Sequence, residues 1–304
     1  MSLPWIEKYR PKTLSEVVHQ PEVVSALSRA ISSQNLPHLL FYGPPGTGKT
    51  SVVHAAARDL FGTSYRERVL ELNASDERGI QVVRTKIKTF AQGAVSSGSG
   101  SLPPYKLLIL DEADNMTTDA QAALRRTMEE YARVTRFCLL CNYVSKIIDP
   151  IASRCAKFRF KPLPLDALDD RILLIAEREN IRIAPDARAE LASMAAGDLR
   201  RAITLLQATS QLSLAVATST SSTQAAAVVS PSAAQVSLDD VRQASGAVPA
   251  ARVRELAATL GSSRQFAEME QRVEALSYDG YSGAQVLRQL VAHLVSNSSS
   301  SSSS

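Results

Sequence analysis

Gly43-Pro44-Pro45-Gly46-Thr47-Gly48-Lys49-Thr50 fits the pattern G-x-x-x-x-G-K-[ST], and its surroundings make the match informative. The apolar run 38–42 precedes it and a helical pattern follows it at once. Strand, glycine-rich loop and helix in that order build a cradle for phosphate. Glycines let the backbone close on the anion, and the loop amides and helix N-terminus supply positive potential. Lys49 is long enough to reach the β and γ phosphates, and Thr50 offers its hydroxyl to magnesium. Gly43 to Thr50 and the adjoining Ser51 are therefore the candidate nucleotide contacts. The alternative is a glycine-rich turn matching by chance.

Beyond this loop, three more apolar runs, 69–73, 106–110 and 136–141, alternate with turn or helix signals. This alternation predicts βαβ units and a parallel sheet, an α/β nucleotide-binding domain over residues 1–161. The run 107–110 ends in Asp111-Glu112-Ala113-Asp114, beyond the carboxyl end of its strand, where open α/β sheets place their ligands. There Asp111 would hold magnesium through water and Glu112 would polarise an attacking water, which favours hydrolysis over passive binding. The same acids could instead cap a helix starting near Thr118. Asp-Glu-Ala-Asp is also a signature of RNA helicases, but those need two motor domains and this chain has room for one.

From residue 162 the strand pattern stops. Stretches 165–180, 187–196 and 199–211 read as amphipathic helices of a lid domain, 162–248. Residues 214–235 are almost wholly small and polar and read as a disordered insertion. Helical periodicity returns at 238–245, 251–260, 264–276 and 284–295; residues 249–295 form a further helical unit and 296–304 an unstructured serine tail. The stretch 93–104 reads as a surface loop.

Composition bounds what remains. A 304-residue chain with 45% hydrophobic residues can bury a sizeable core in more than one unit. No run approaches the roughly 20 apolar residues of a membrane span, and the charged N-terminal stretch lacks the core of a secretory signal, so an intracellular protein with no membrane partner is expected. The net charge of +4 comes wholly from residues 1–161, the remainder being acidic, which suits a phosphate-rich partner for the first domain. Cys138 and Cys141 have a zinc-like spacing, but on a strand residues three apart face opposite sides, and no second pair completes a site.

Further segments resemble the small subunits of replication factor C, the AAA+ sliding-clamp loader family, of eukaryotic type, nearly without gaps over residues 3–207. The box Pro4-Trp5-Ile6-Glu7-Lys8-Tyr9-Arg10-Pro11 resembles the family's adenine-pocket segment, implying roles for Ile6, Tyr9, Arg10 and Val18; on packing grounds alone Trp5 and Tyr9 could simply fill a core. Glu71-Leu72-Asn73-Ala74-Ser75-Asp76-Glu77-Arg78-Gly79-Ile80 resembles the opening of a DNA-tracking helix, and Gln81, Arg84 and Lys88 share one face of it, with Arg84 and Lys88 the candidate DNA contacts. Asn142 resembles the sensor of the γ-phosphate. Ser153-Arg154-Cys155 resembles the signature whose arginine completes a neighbouring subunit's site in trans. Gly197-Asp198-Leu199-Arg200 resembles the second sensor, with Arg200 on the phosphates. Leu124-Arg125-Arg126-Thr127-Met128-Glu129 also matches, in a coupling role.

The resemblance implies an AAA+ P-loop domain, a helical lid and a partial helical collar, with Lys49, Asp111, Glu112, Asn142, Arg154 and Arg200 in the chemistry, and Thr50 and Asp111 on the metal. It implies ATP and Mg2+ as cofactors. Its implied partners are the other subunits of a hetero-pentamer, a sliding clamp ring and a primed DNA junction, in the nucleus. Only about three collar helices fit, fewer than the family's. The rivals are another AAA+ machine, such as a branch-migration motor or a checkpoint-clamp loader, and an ATP-binding scaffold without turnover.

Overall fold

The computed structural model describes residues 3–17, 19–74, 80–93, 102–220, 235–260 and 266–301. Among them five strands, β1 (Leu39–Tyr42), β2 (Val69–Asn73), β3 (Lys106–Asp111), β4 (Thr135–Cys141) and β5 (Ala156–Arg159), form one sheet in the order β2-β3-β4-β1-β5. Every pairing is parallel. The apolar runs follow from this: a parallel sheet covered on both faces needs strands that are hydrophobic on consecutive positions. Leu107 and Ile109 of β3 enter one core cluster, with Leu39, Phe41, Cys138 and Leu140. Leu108 and Leu110 enter the other, with Leu40, Phe137, Leu139 and Cys141. Cys138 and Cys141 thus lie on opposite faces, as strand alternation requires.

Helices α1 (Trp5–Lys8), α2 (Pro21–Ser32), α3 (Lys49–Phe61), α4 (Tyr65–Arg68), α5 (Ile80–Gln92), α6 (Thr118–Glu130) and α7 (Asp149–Ala152) accompany the sheet. Pro21 opens α2 where a missing N–H costs nothing, and the Thr117 hydroxyl accepts from Ala120 N at the start of α6. There follow α8 (Leu165–Arg178), a short strand β6 (Arg182–Ile183), α9 (Pro185–Ala195) and α10 (Leu199–Thr220). The chain continues with β7 (Gln235–Val236), α11 (Leu238–Ala244), α12 (Ala250–Leu260), α13 (Phe266–Tyr278) and α14 (Gly283–Ser301). Strands β6 and β7 pair in parallel, and a reciprocal Ser237–Asp240 capping box starts α11.

The chain gathers into two compact units, Met1–Ile175 with Ala192–Thr204, and Ala176–Leu191 with Leu205–Ser304. The first holds the sheet and the stretch bearing Arg200. The second has its own core of Val248, Val253, Leu256, Leu276, Val286 and Leu290.

Several expectations are revised. Strand β5 and the β6–β7 pair, absent from the sequence reading, are short and carry charged or polar residues beside apolar ones, so they leave no apolar run to read. Helix α10 runs to Thr220, into the stretch 214–235 read as disordered, and α14 runs to Ser301, into the serine tail. A nucleated helix gains one hydrogen bond per residue added, while a serine costs it only about half a kcal/mol relative to alanine. The rest of the 214–235 stretch, most of the 93–104 loop and the end of the tail lie outside the described residues. No helix among those described is long and apolar enough to cross a membrane.

Candidate nucleotide site

The loop after β1 turns through Gly43, Gly46 and Gly48, at φ 147°, 69° and 92°, backbone that side-chain-bearing residues rarely adopt. Gly48 then hands over to α3, whose first residue is Lys49. Lys49 is 8% exposed, and its ammonium donates to the Gly43 carbonyl at 2.7 Å, the Pro44 carbonyl at 2.9 Å and Asn142 Oδ1 at 2.9 Å. Burial lowers its pKa, and the Asp111 carboxylate opposes that shift. Thr50 Oγ1 donates to Asp111 Oδ2 at 2.9 Å across 61 residues of sequence.

Strand β3 delivers Asp111 at its tip, where Oδ1 accepts from the Glu112 amide at 2.8 Å. Glu112 itself sits in the left-handed region (φ 52°), and its Oε2 accepts from Asn115 Nδ2 at 3.1 Å. One strand over, β4 ends in Cys141, and Asn142 follows it. The buried Asp114 carboxylate accepts from the backbone amides of Asn142 and Tyr143, both at 3.3 Å, and so fixes the turn that aims Asn142 at Lys49. Burial, with Asp114 adding to it, pushes the Cys141 thiol up to about 12, so it remains a packing group.

These groups line a cleft of about 230 Å³. Of the sequence candidates it is lined by Ile6, Tyr9, Arg10, Pro45, Gly46, Thr47, Gly48, Lys49, Thr50, Ser51, Asp111, Glu112, Asn142 and Arg200. Gly43 and Pro44 serve as the acceptors of Lys49. Val18 lies outside the described residues, though its neighbour Val17 lines the cleft. Arg154 is elsewhere on the surface: its Nη1 donates to the Pro150 carbonyl at 2.6 Å and its Nη2 pairs with Glu129 Oε1 at 2.5 Å. Lys88 is exposed on α5, while the Gln81 and Arg84 side chains and residues 75–79 of the stretch 71–80 lie outside the described residues.

Two contributors have no role assigned from the sequence, Arg171 and Asp198, the latter quoted there only as part of the segment 197–200. Arg171 of α8 lines the cleft and donates from Nη2 to the Tyr9 carbonyl at 2.7 Å, pinning the N-terminal segment as one wall. No local pattern marks it; the pairing spans 162 residues. Asp198 caps α10 by accepting from Arg201 N at 3.0 Å, and its carboxylate lies against Gly46, where an added Cβ would stand 1.7 Å from Oδ1. The adjacent Leu199 amide donates to the Gly46 carbonyl at 3.2 Å. The turn that presents Arg200 is therefore fastened to the phosphate loop itself. Chemically, the cleft offers a cation, backbone amides and a hydroxyl–carboxylate pair of hard oxygen donors, a set that suits a polyphosphate with a small divalent cation.

A family model described as "ATPase family associated with various cellular activities (AAA)" matches residues 39–163. The chain is 48% identical over 298 residues to replication factor C subunit 2 of Oryza sativa, covering 97% of this chain and 82% of that one. It is 47% identical to human replication factor C subunit 4, covering 97% and 77%, and 56% identical over 203 residues to the Archaeoglobus fulgidus small subunit, covering 67% and 62%. Among solved structures, the Thermotoga maritima RuvB Holliday junction branch migration motor superposes with a TM-score of 0.59 at 18% identity, covering 87% of this chain and 89% of that one, a likeness of fold alone.

Proposed function

Because the chain belongs to the replication factor C small-subunit family and is an AAA+ ATPase subunit of a clamp loader, we propose that it binds Mg-ATP in the cleft around Lys49 and uses hydrolysis to load a sliding clamp onto primed DNA. The observation that carries this reading is the convergence of Lys49 with Asn142, and of Thr50 with Asp111, from separate points of the chain.

In this reading the loop amides and Lys49 hold the β and γ phosphates, Arg200 reaches them from the start of α10, and Ile6, Tyr9, Arg10 and Val18 wall the adenine. Thr50 and Asp111 would hold a magnesium ion, which when bound would neutralise phosphate charge. Glu112 takes a proton from the attacking water while Asn142 orients it. Arg154, remote from the chain's own cleft, completes the site of a neighbouring subunit; its permanently charged planar fork stabilises spreading phosphoryl charge. The proposed partners are the other subunits of a hetero-pentamer, the clamp ring and a primed double-stranded/single-stranded junction, met in the nucleus, with Arg84 and Lys88 on the DNA backbone. Residues 162–248 act as the lid and 249–295 as a partial collar.

A titration tests the core of it. Lys49→Ala removes nucleotide binding, and an unchanged ATP affinity in that variant would refute the site.

A further inference from the structure

Glu129 lies near the end of α6, outside the nucleotide cleft, and one of its oxygens serves two arginines. Oε1 accepts from Arg125 Nε at 3.0 Å, four residues back on the same helix, and pairs with Arg154 Nη2 at 2.5 Å. Arg154 has a second anchor, the Pro150 carbonyl, which takes its other terminal nitrogen at 2.6 Å. The Glu129 carboxyl is held below the usual carboxylate range by the Arg125 hydrogen bond, with Arg154 contributing. We propose that Glu129 is a positioning residue for catalysis at the neighbouring subunit's site, holding the Arg154 guanidinium in one orientation so that it arrives there already aligned. This rests on the reading of Arg154 as acting in trans.

The argument is one of freedom and of donor count. A free arginine side chain carries about 2 kcal/mol of rotamer entropy that must be given up when it docks on a phosphate. Two anchors on different elements, the end of α6 and Pro150 of α7, fix the plane of the fork before docking. The guanidinium has five N–H donors in a rigid arrangement, and these two contacts engage only its two terminal nitrogens. Each terminal nitrogen keeps a second N–H, and Nε keeps its own, so orienting the group does not consume it. A lone exposed pair would do this weakly, because each side chain would have to be ordered for one contact. Here Arg125 orders the carboxylate from its own helix, so Glu129 meets Arg154 with part of its freedom already lost. The cluster keeps a net positive charge, which suits an anionic target.

The test uses the reconstituted multi-subunit complex, with turnover isolated at the one site that Arg154 completes by inactivating the others. Arg154→Ala is measured first: if turnover there is unchanged, the trans reading fails and the proposal with it. Where Arg154→Ala slows turnover, Glu129→Ala is expected to lower kcat at the same site about fivefold. KM and this subunit's own ATP affinity should hold, with Glu129→Gln in between because it keeps an acceptor. The Glu129→Ala defect should shrink as salt rises and vanish on the Arg154→Ala background. A normal kcat in Glu129→Ala, a defect that persists beside Arg154→Ala, or a rise in turnover, which would make Glu129 a restraint on Arg154, each overturns it.

Discussion

Gly46 meets two demands at once. Its φ of 69° is reached cheaply only without a Cβ, and the space a Cβ would fill is taken by the Asp198 carboxylate. A loop motif read from sequence accounts for the first demand alone. Gly46→Ala should therefore weaken ATP binding at least about tenfold and lower stability by about 1–2 kcal/mol. Adding Asp198→Ala should recover part of the loss by relieving the overlap while leaving the strained backbone. Calorimetric titration of both variants checks this, and wild-type affinity in Gly46→Ala would contradict it.

Between elements, the joint that bears most on the site is a glutamine. Gln121 of α6 is 3% exposed; its Nε2 donates to the carbonyls of Met116 and Lys146, and its Oε1 accepts from Ile148 N at 2.9 Å. It thereby ties α6 to the segment that follows Asn142. Gln121→Leu has nearly the same size but deprives three backbone groups of their partner, so it should cost about 2–4 kcal/mol in urea unfolding; a loss under about 1 kcal/mol would show that the joint is not structural. In the sequence, Gln121 looks like any polar residue of an amphipathic helix. What was legible among the elements was β1 to β4; the apolar runs of β1, β3 and β4 stand out because both faces of the sheet are covered there, and β2 keeps enough apolar residues to be read although Glu71 is exposed. The edge strand β5, with Lys157 and Arg159 exposed, was not.

For the whole molecule, acid stability follows from a half-buried ring. His38, just before β1, accepts from the Phe137 amide through Nδ1 at 3.2 Å and stands edge-on to the Phe137 ring. Burial, then Arg136, lowers its pKa to about 4. The folded state therefore favours the neutral ring. The contribution is full above the ordinary histidine value near 6.5 and is lost as pH falls from there towards about 4. The partly exposed ring limits the loss to about 1–3 kcal/mol. Glu71 does not share this window: the hydrogen bond from His54 lowers its pKa, so its contribution fades only below the usual carboxylate range. Global unfolding free energy should thus fall between about pH 6.5 and 4.5 in the native chain and stay flatter in His38→Asn. Equal slopes in the two would remove His38 as the cause.

The phosphate loop, the acids at the end of β3 and the α/β class could be read from the chain alone, because each depends on neighbouring residues and on the local geometry of strand, turn and helix. What those groups meet could be known only from the folded molecule. Asn142 reaches Lys49 across 93 residues because β4 lies beside β1, Asp111 reaches Thr50 through the same strand order, Arg171 lines the cleft from a helix far down the chain, and Asp198 packs against Gly46 of the phosphate loop. Strand order and the packing of distant helices arise from burying two opposite apolar faces at once, and no short stretch of sequence carries that information.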